Sequence, residues 1–212
     1  MPERPRTGLL FVISAPSGAG KTTLCREVMR RVPDLRLSVS YTTRQPRTGE
    51  VEGRDYWFVT ESVFQRMIQE GAFVEWARVH GHLYGTARED LQHLMAAGTD
   101  VLLDIDTQGA RQIRQSVPGG VFIFVLPPSW DVLQKRLRGR NADQEEEIQR
   151  RLARAREEIA EYRQYDYVII NEDLEDAVRD LESILLAERC RRERYAPEWI
   201  EALFLTHPKE VP

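Results

Sequence analysis

Cysteine is scarce in this chain of 212 residues, which contains only Cys25 and Cys190. The two lie far apart in the sequence, and neither has a neighbour at the spacing of a metal-binding pair. We therefore expect neither a disulfide framework nor a zinc module. Residues 1–6 are not followed by the hydrophobic core of a signal peptide. Together these features favour the reducing cytoplasm as the location.

Long apolar runs and an excess of positive charge are also lacking. No apolar run approaches the roughly 20 residues needed to span a bilayer, so we expect no membrane segment. The formal net charge of −4 argues against general attraction to nucleic acid, and we expect no nucleic-acid partner. With 42% apolar and 30% charged residues, the composition is typical of a globular chain with one substantial core.

Lysine occurs at only three positions, and one of them stands in the most informative motif of the chain. An apolar run at residues 9–13 is followed by the segment SAPSGAGKT, which ends in Lys21 and Thr22. This segment nearly fits the P-loop pattern GxxxxGK[ST], with Ala15 in place of the first glycine. A strand, a turn of small residues and a helix start are therefore predicted in that order.

The chemistry of such a turn is anion binding. Its backbone N–H groups and the positive end of the following helix can surround phosphate groups. Lys21 would reach the β- and γ-phosphates of a nucleotide, and the Thr22 hydroxyl would ligate Mg²⁺. The residues expected to bind ATP here are Ser14, Ala15, Pro16, Ser17, Gly18, Ala19, Gly20, Lys21, Thr22 and Thr23.

The remaining pattern predicts an α/β fold. Continuous apolar strands at 100–106, 121–126 and 167–171 alternate with helices at 22–31, 109–115 and 174–189. Such strands are typical of a parallel sheet covered on both faces, so we predict a P-loop NTPase core with helices flanking the sheet. Asp104 falls near the carboxyl end of one strand, where it would face the P-loop and hold Mg²⁺ through water.

A β-rich lobe is predicted to be inserted into this core. Strands are expected at 35–43, 55–59 and 73–79, with a helix that Thr60 caps and Gly71 ends. The sequence Thr86-Ala87-Arg88-Glu89 has the form of a capping box, which predicts Thr86 as the start of the next helix. Glu75 shares a face with apolar neighbours in its strand, and a carboxylate there requires a partner.

A helical lid is predicted after the strand at 121–126. A helix capped by Ser129 and a long helix at 145–165 flank a polar hinge at 141–144. Arg136, Arg140 and Arg151 lie around this hinge, and guanidinium forks grip phosphate oxygens in pairs. The other arginines of these helices are assigned to an exposed helical face: Arg138, Arg150, Arg154 and Arg156. The predicted division is 8–37, 90–126 and 158–190 for the core, 38–89 for the lobe, 127–157 for the lid and 191–212 for a C-terminal tail.

A second nucleotide site is indicated within the inserted lobe. Arg44 and Arg47 stand three apart in a proline-containing loop, where a phosphate is a plausible target, and Tyr84 could hydrogen-bond the same group. Guanine presents adjacent N1–H and N2–H₂ donors, which a carboxylate can accept together. Glu75 and Asp106, with hydroxyls from Ser40 and Thr86, could form such a guanine pocket.

These motifs together resemble the guanylate kinase family. The resemblance rests on SAPSGAGKT, on SVSYTTRQPR at residues 38–47, on Tyr84-Gly85-Thr86 and on Asp104-Ile105-Asp106, and it covers residues 8–189. It implies Mg²⁺-dependent transfer of the γ-phosphoryl group of ATP to GMP or dGMP, within purine nucleotide metabolism. An alanine-proline pair at Ala15 and Pro16 is similar to the stand-alone members of the family.

The resemblance also implies roles for particular residues. The GMP site would consist of Ser40, Arg44, Arg47, Tyr56, Glu75, Tyr84, Gly85, Thr86, Asp104, Asp106 and Arg151. The ATP site would consist of the P-loop together with Arg136, Arg140 and Asn171. The metal would be held by Thr22, and by Asp104 through water. The residues that act in catalysis would be Lys21, Arg44, Arg136, Arg140 and Arg151.

Two other functions remain as alternatives. Guanylate-kinase-like domains of scaffold proteins keep the fold but bind peptides, and fold alone does not fix function. The intact Lys21 and Thr22 argue against that alternative. A kinase for another phosphorylated acceptor is the second alternative, which Glu75 and Asp106 disfavour because guanine supplies their donors. The sequence leaves the oligomeric state open.

Overall fold

The central feature of the computed structural model is a five-stranded sheet. The model describes residues 6–79, 81–139 and 145–205. The strands of the sheet are β1 (Leu10–Ser14), β2 (Leu35–Leu37), β7 (Asp100–Asp104), β8 (Val121–Leu126) and β9 (Tyr167–Ile170). They are arranged in the order β2-β7-β1-β8-β9, and every neighbouring pair is parallel. The carboxyl ends of β1 and β7 therefore meet at one edge of the sheet.

Helices cover both faces of this sheet. On one face, α1 (Lys21–Arg31) and α7 (Leu174–Arg189) bury residues such as Leu24 and Leu181 against Phe11. On the other face, α3 (Arg88–Ala96) and α4 (Thr107–Ser116) bury Leu91 and Ile113 against the strands. The α/β fold predicted from the apolar strands, a parallel sheet flanked by helices, is confirmed. The physical reason is that strands buried on both faces must be apolar along their whole length.

A second sheet lies between β2 and α3 in the sequence. Its strands are β3 (Tyr41–Thr42), β4 (Trp57–Phe58), β5 (Phe73–Val79) and β6 (His82–Ala87), in the order β4-β3-β6-β5, and α2 (Glu61–Gln69) packs beside it. The single strand predicted at 35–43 is wrong, because the structure divides it into β2 and β3, which belong to different sheets. Alternation of apolar and polar residues suits either sheet, so the pattern could not locate the division.

Strand β6 has no counterpart in the sequence prediction. It pairs antiparallel with β5 and contains Gly85, a residue that usually weakens a strand. A Cβ atom at Gly85 would lie 3.0 Å from ring atoms of both Phe64 and Phe73. Glycine is present here because two aromatic rings pack against the strand, a long-range cause that local patterns do not reveal.

Three further α-helices and two 3₁₀ helices complete the described part of the chain. Helices α5 (Trp130–Gly139) and α6 (Glu145–Ala160) pack together through Leu133, Leu137, Ile148 and Leu152. A 3₁₀ helix (Glu161–Gln164) follows α6, so the α-helix predicted to reach residue 165 ends five residues earlier. After α7 come a 3₁₀ helix (Arg192–Arg194) and α8 (Pro197–Phe204). Among the described helices, none has the length and apolar character needed to cross a membrane.

Candidate active site

The loop between β1 and α1 has the backbone geometry of a tight anion-binding turn. Gly18 and Gly20 have φ angles of 92° and 90°, a region that side-chain-bearing residues rarely adopt. A Cβ atom at Gly20 would lie 2.4 Å from the Asn171 side-chain nitrogen. Both glycines are therefore required by backbone conformation, and Gly20 also by the close approach of a neighbouring side chain.

Lys21 is held at the carboxyl end of β7. Its Nζ donates a hydrogen bond to the Ile105 carbonyl at 2.6 Å and lies 2.7 Å from Asp104 Oδ1. Burial acts to lower the pKa of Lys21, but the negative charge of Asp104 and the hydrogen bond to it prevail, and the pKa is raised. Lys21 is therefore a fixed positive charge at the edge of the sheet.

Two side chains with oxygen atoms lie beside this lysine: Thr22 in the first turn of α1 and Asp104 at the end of β7. The Thr22 hydroxyl lies 3.4 Å from Asp104 Oδ2. Hydroxyl and carboxylate oxygens are the ligands that Mg²⁺ prefers, usually one or two from protein with the rest from phosphate and water. Groups of three or more His, Cys, Asp or Glu side chains at metal spacing do not occur in the part of the chain that the structure describes. The donor set thus fits Mg²⁺ carried in with a nucleotide rather than a metal held in an all-protein cage.

Asn171 and Arg136 both contact the P-loop at the Ala19 carbonyl. The Asn171 Nδ2 donates to the Ala19 carbonyl at 2.7 Å, and Asn171 itself is buried. Arg136 donates to the Ala19 carbonyl at 3.5 Å and to the Asn171 carbonyl at 3.3 Å. A groove of about 470 Å³ lies along these residues, between the P-loop and the segment after β9. The structure therefore brings Arg136 and Asn171, two of the three residues predicted to join the P-loop on the ATP side, to the loop.

Arg151 reaches the opposite side of the P-loop from α6. Its Nη2 donates to the Ser17 hydroxyl at 2.8 Å. A cavity of about 240 Å³ opens between Arg151, Lys21 and the P-loop backbone. Lys21 and Arg151 therefore both face a small space over the loop. Arg140, predicted to act with them, lies outside the residues that the structure describes.

Asp106 joins this cavity to the inserted lobe. Its Oδ1 accepts the Gly109 N–H at 2.9 Å and so caps α4, while its Oδ2 lies 3.2 Å from Arg154 Nη2. Arg154 also donates to Glu158 at 2.9 Å. The assignment of Arg154 to an exposed helical face is wrong, because its guanidinium lines the same cavity as Arg151. The spacing of three residues from Arg151 was the available signal, since it places both on one side of the helix.

Glu75 is a buried carboxylate, with 4% of its surface exposed. Its Oε1 accepts a 2.6 Å hydrogen bond from the Thr86 hydroxyl. Burial raises the pKa of Glu75 to about 7, helped by the charge of Asp106 and opposed by the bond from Thr86. The Thr86 hydroxyl therefore donates to Glu75 and does not cap α3. The N-cap of α3 is Ala87, which makes no side-chain hydrogen bond. The capping-box prediction is wrong because the buried acid engages the hydroxyl.

Gly109 is part of this arrangement, although no local sequence pattern indicates its role. A Cβ atom at Gly109 would lie 2.6 Å from Glu75 Oε2. The first turn of α4 can approach the carboxylate that closely only because residue 109 has no side chain. Ser40, the other predicted hydroxyl of this pocket, lies half-buried just before β3, and its carbonyl accepts the Trp57 N–H.

Arg44 is held in the lobe by Glu50, an acid in the same loop that no sequence motif indicates. Its Nη2 lies 2.8 Å from Glu50 Oε1, and its guanidinium carbon lies 5.3 Å from the Tyr56 ring centroid. The hydrogen bond to Glu50 raises the pKa of Arg44, and the same bond lowers the pKa of Glu50. Tyr56 packs edge-to-face on Tyr84. Arg47 is exposed on the same loop, and its backbone N–H donates to Glu50.

The fold and the loop define the protein class as a P-loop NTPase, in which a glycine-containing turn joins a parallel strand to a helix. The family model described as guanylate kinase matches residues 7–188, most of the chain. The chain belongs to the guanylate kinase family.

Curated relatives agree with this assignment. The chain is 58% identical to the guanylate kinase of Syntrophotalea carbinolica over 91% of its own length and 92% of the relative. It is 54% identical to that of Geobacter sulfurreducens, over 89% and 93% of the two chains. The crystal structure of guanylate kinase from Anaplasma phagocytophilum superposes with a TM-score of 0.80 at 33% identity, covering 97% of this chain and all of that one.

Proposed function

We propose that this protein is a guanylate kinase, which transfers the γ-phosphoryl group of ATP to GMP and yields ADP and GDP. The observation that carries the proposal is the pair of carboxylates at Glu75 and Asp106, which both adjoin Gly109. Asp106 Oδ1 accepts the Gly109 N–H at 2.9 Å, and Glu75 Oε2 lies 2.6 Å from the position of a Cβ atom at Gly109. Within the described residues, Glu75 forms no ion pair and is held by a hydroxyl. Such an acceptor group matches the adjacent N1–H and N2–H₂ donors of guanine.

The donor nucleotide would bind at the P-loop. Backbone N–H groups of residues 17–20 and the N-terminus of α1 would surround the phosphates, and Lys21 would leave Asp104 to reach the β- and γ-phosphates. Bound with ATP, Mg²⁺ would neutralise charge on the phosphate oxygens. Thr22 would ligate it directly and Asp104 through water. The groove beside Asn171 would border the adenine.

The acceptor nucleotide would bind across the cavity from the P-loop. Glu75 and Asp106 would accept from the guanine edge, with Ser40 and Thr86 beside them and Gly85 leaving room in β6. Arg44, Arg47, Tyr56 and Tyr84 would hold the phosphate of GMP. This base edge is the same in GMP and dGMP, so both are expected as substrates.

Catalysis would depend on positioning and charge rather than on covalent chemistry by the protein. Arg136 and Arg151 lie on opposite sides of the loop, where guanidinium groups could neutralise charge that spreads over the moving phosphoryl group. Arg140 is proposed to assist them.

In this scheme residues 38–89 form the GMP-binding lobe, and residues 127–157 form the lid. The core consists of residues 8–37, 90–126 and 158–190. Low cysteine content supports a reducing compartment, which we propose to be the cytoplasm.

An ADP-release assay tests the proposal directly. ATP and Mg²⁺ would be supplied with GMP, dGMP, AMP, CMP, UMP or no acceptor, and ADP would be coupled to NADH oxidation. We expect GMP and dGMP to support turnover, and AMP to be slower by on the order of 10⁴-fold, because it leaves the buried acceptors unpaired. The absence of GMP-dependent ADP release would contradict the proposal. No release with any acceptor would favour the scaffold alternative, and release with a different acceptor would favour the other kinase.

A further inference from the structure

Three charged side chains of α6 face the cavity above the P-loop. Arg151, Arg154 and Glu158 follow the spacing i, i+3, i+7, which places them on one side of the helix. All three line the cavity of about 240 Å³ that also contains Lys21 and Asp106. Their exposure differs from that of Arg150, whose side chain is 74% exposed and forms an ion pair with its neighbour Glu147.

The middle member of this set, Arg154, contacts a residue of the proposed guanine site and another residue of α6. Arg154 Nη2 lies 3.2 Å from Asp106 Oδ2, on the side proposed to read guanine. Its Nε donates to Glu158 at 2.9 Å. Burial raises the pKa of Glu158, against opposing effects of Arg154 and of the Ser17 backbone amide, so Glu158 stands next to the P-loop. A chain of polar contacts thus leads from Asp106 through Arg154 to Glu158, which lines the same cavity as Ser17.

The same helix carries Arg151, whose Nη2 donates to the Ser17 hydroxyl at 2.8 Å. Arg151 and Arg154 both lie on α6. A displacement of Asp106 that moves Arg154 would therefore also move Arg151 over the donor site. Asp106 Oδ2 has two lone pairs, so it can accept from Arg154 and from a guanine amino group at the same time. Sharing this oxygen would fix the position of Arg154, and with it α6, when guanine is bound.

We propose that Arg154 is a positioning residue that couples the two nucleotide sites, so that GMP binds more tightly when the ATP site is filled. The proposal rests on the function proposed above, because it assumes guanine at Asp106. Coupling between two ligands is reciprocal, so ATP affinity must rise by the same factor when GMP is bound. Removing the guanidinium breaks the link between Asp106 and Glu158 while both acids and Arg151 stay in place.

Calorimetric titration of the full chain with GMP measures this coupling. GMP affinity is determined with and without saturating β,γ-methylene-ATP and Mg²⁺, and the ratio of the two dissociation constants is the coupling factor. We expect a factor of at least about five for the wild-type protein, the lower end of typical allosteric coupling, and a factor near one for Arg154→Ala. Arg154→Lys, which keeps the charge but not the fork, should restore part of it, and Arg150→Ala should match the wild type.

The outcomes separate this inference from the proposed function. A wild-type protein that binds no GMP would overturn both. A wild-type protein that binds and phosphorylates GMP, with equal coupling in Arg154→Ala, would overturn only the role of Arg154. Weaker GMP binding in the presence of the ATP analogue would also overturn it, because Arg154 and guanine would then compete for Asp106. Uniform loss of affinity for both nucleotides, with the ratio unchanged, would mark Arg154 as merely structural.

Discussion

Lys21 Nζ lies 2.7 Å from Asp104 Oδ1, so the lysine of the P-loop and the acid at the end of β7 form an ion pair across the carboxyl edge of the sheet. The two residues are separated by more than 80 positions in the sequence, and parallel pairing of β1 with β7 brings them together. The pair brings both charges to the edge of the sheet where the triphosphate and its metal are proposed to bind.

Replacement of this lysine is the first test of the donor site. Lys21→Met removes the positive charge proposed to stabilise the transferring phosphoryl group, so we expect kcat to fall by on the order of 10³-fold. GMP affinity, measured by calorimetry, should stay within about twofold because the proposed guanine pocket is untouched. Lys135→Met removes an exposed lysine of α5 and serves as the control. Near-normal turnover of Lys21→Met would show that the P-loop assignment is wrong.

GMP affinity should depend on the ionisation of Glu75. The carboxylate must be ionised to accept both guanine donors, and its pKa is about 7. We therefore expect the GMP dissociation constant to rise as the pH falls below about 7, approaching tenfold per pH unit. Glu75→Gln should bind GMP weakly at every pH and show no transition near 7. Any remaining pH dependence in that variant would then report the phosphate of GMP, whose second pKa is about 6.

The same group makes a prediction about stability. In the unfolded chain Glu75 ionises near 4.5, and in the folded protein near 7. Between these values the native state binds more protons, so the free energy of unfolding contributed by Glu75 falls as the pH rises from about 4.5 to about 7. Above pH 7, Glu75→Gln should be more stable than the wild type by up to about 3 kcal/mol, and the difference should vanish near pH 4. Urea unfolding at several pH values measures it; a constant difference would contradict the raised pKa.

Gly109 offers a test of the guanine pocket that leaves its polar groups intact. In Gly109→Ala the new Cβ would lie 2.6 Å from Glu75 Oε2, so the carboxylate must move. Displacement of a positioning group by about 1 Å can cost as much as 10²-fold, and we expect the GMP dissociation constant to rise by roughly 10–100-fold. Affinity for an ATP analogue, measured on the same sample, provides the internal control. Unchanged GMP affinity would mean that Glu75 does not contact the base.

A buried ion pair far from the catalytic edge sets the stability of the core. Asp100, at the amino end of β7, has a side chain that is 1% exposed and lies 2.6 Å from Arg189 and 3.1 Å from Arg6. Asp100→Asn would remove a buried negative charge that lies between two guanidinium groups, at a cost of about 3–5 kcal/mol in the free energy of unfolding. Asp34→Asn, which removes the exposed partner of Arg6, should cost no more than about 1 kcal/mol. Turnover below the melting temperature should be normal in both variants.

The fold was predictable to the extent that it depends on burial. Strand β8 and helix α7 begin and end at the predicted residues, because a strand buried on both faces and a long amphipathic helix have strong periodic signals. Strand β6 escaped prediction because Gly85 and Thr86, which weaken its local pattern, are required by Phe73 and Glu75 on the neighbouring strand. The periodicity of a local segment does not reveal such contacts between side chains on neighbouring strands.

The candidate site was predictable where a motif is contiguous. The segment SAPSGAGKT alone determined the P-loop, since its backbone geometry depends on Gly18 and Gly20 and its charge on Lys21. The sequence also indicated Glu75 and Asp106, through the resemblance and through the polarity of their positions. Only the tertiary structure decided that Arg154 meets Asp106, because this contact joins α6 to the start of α4 across 48 residues. Ion pairs of that range depend on how helices pack on the sheet, which no local pattern encodes.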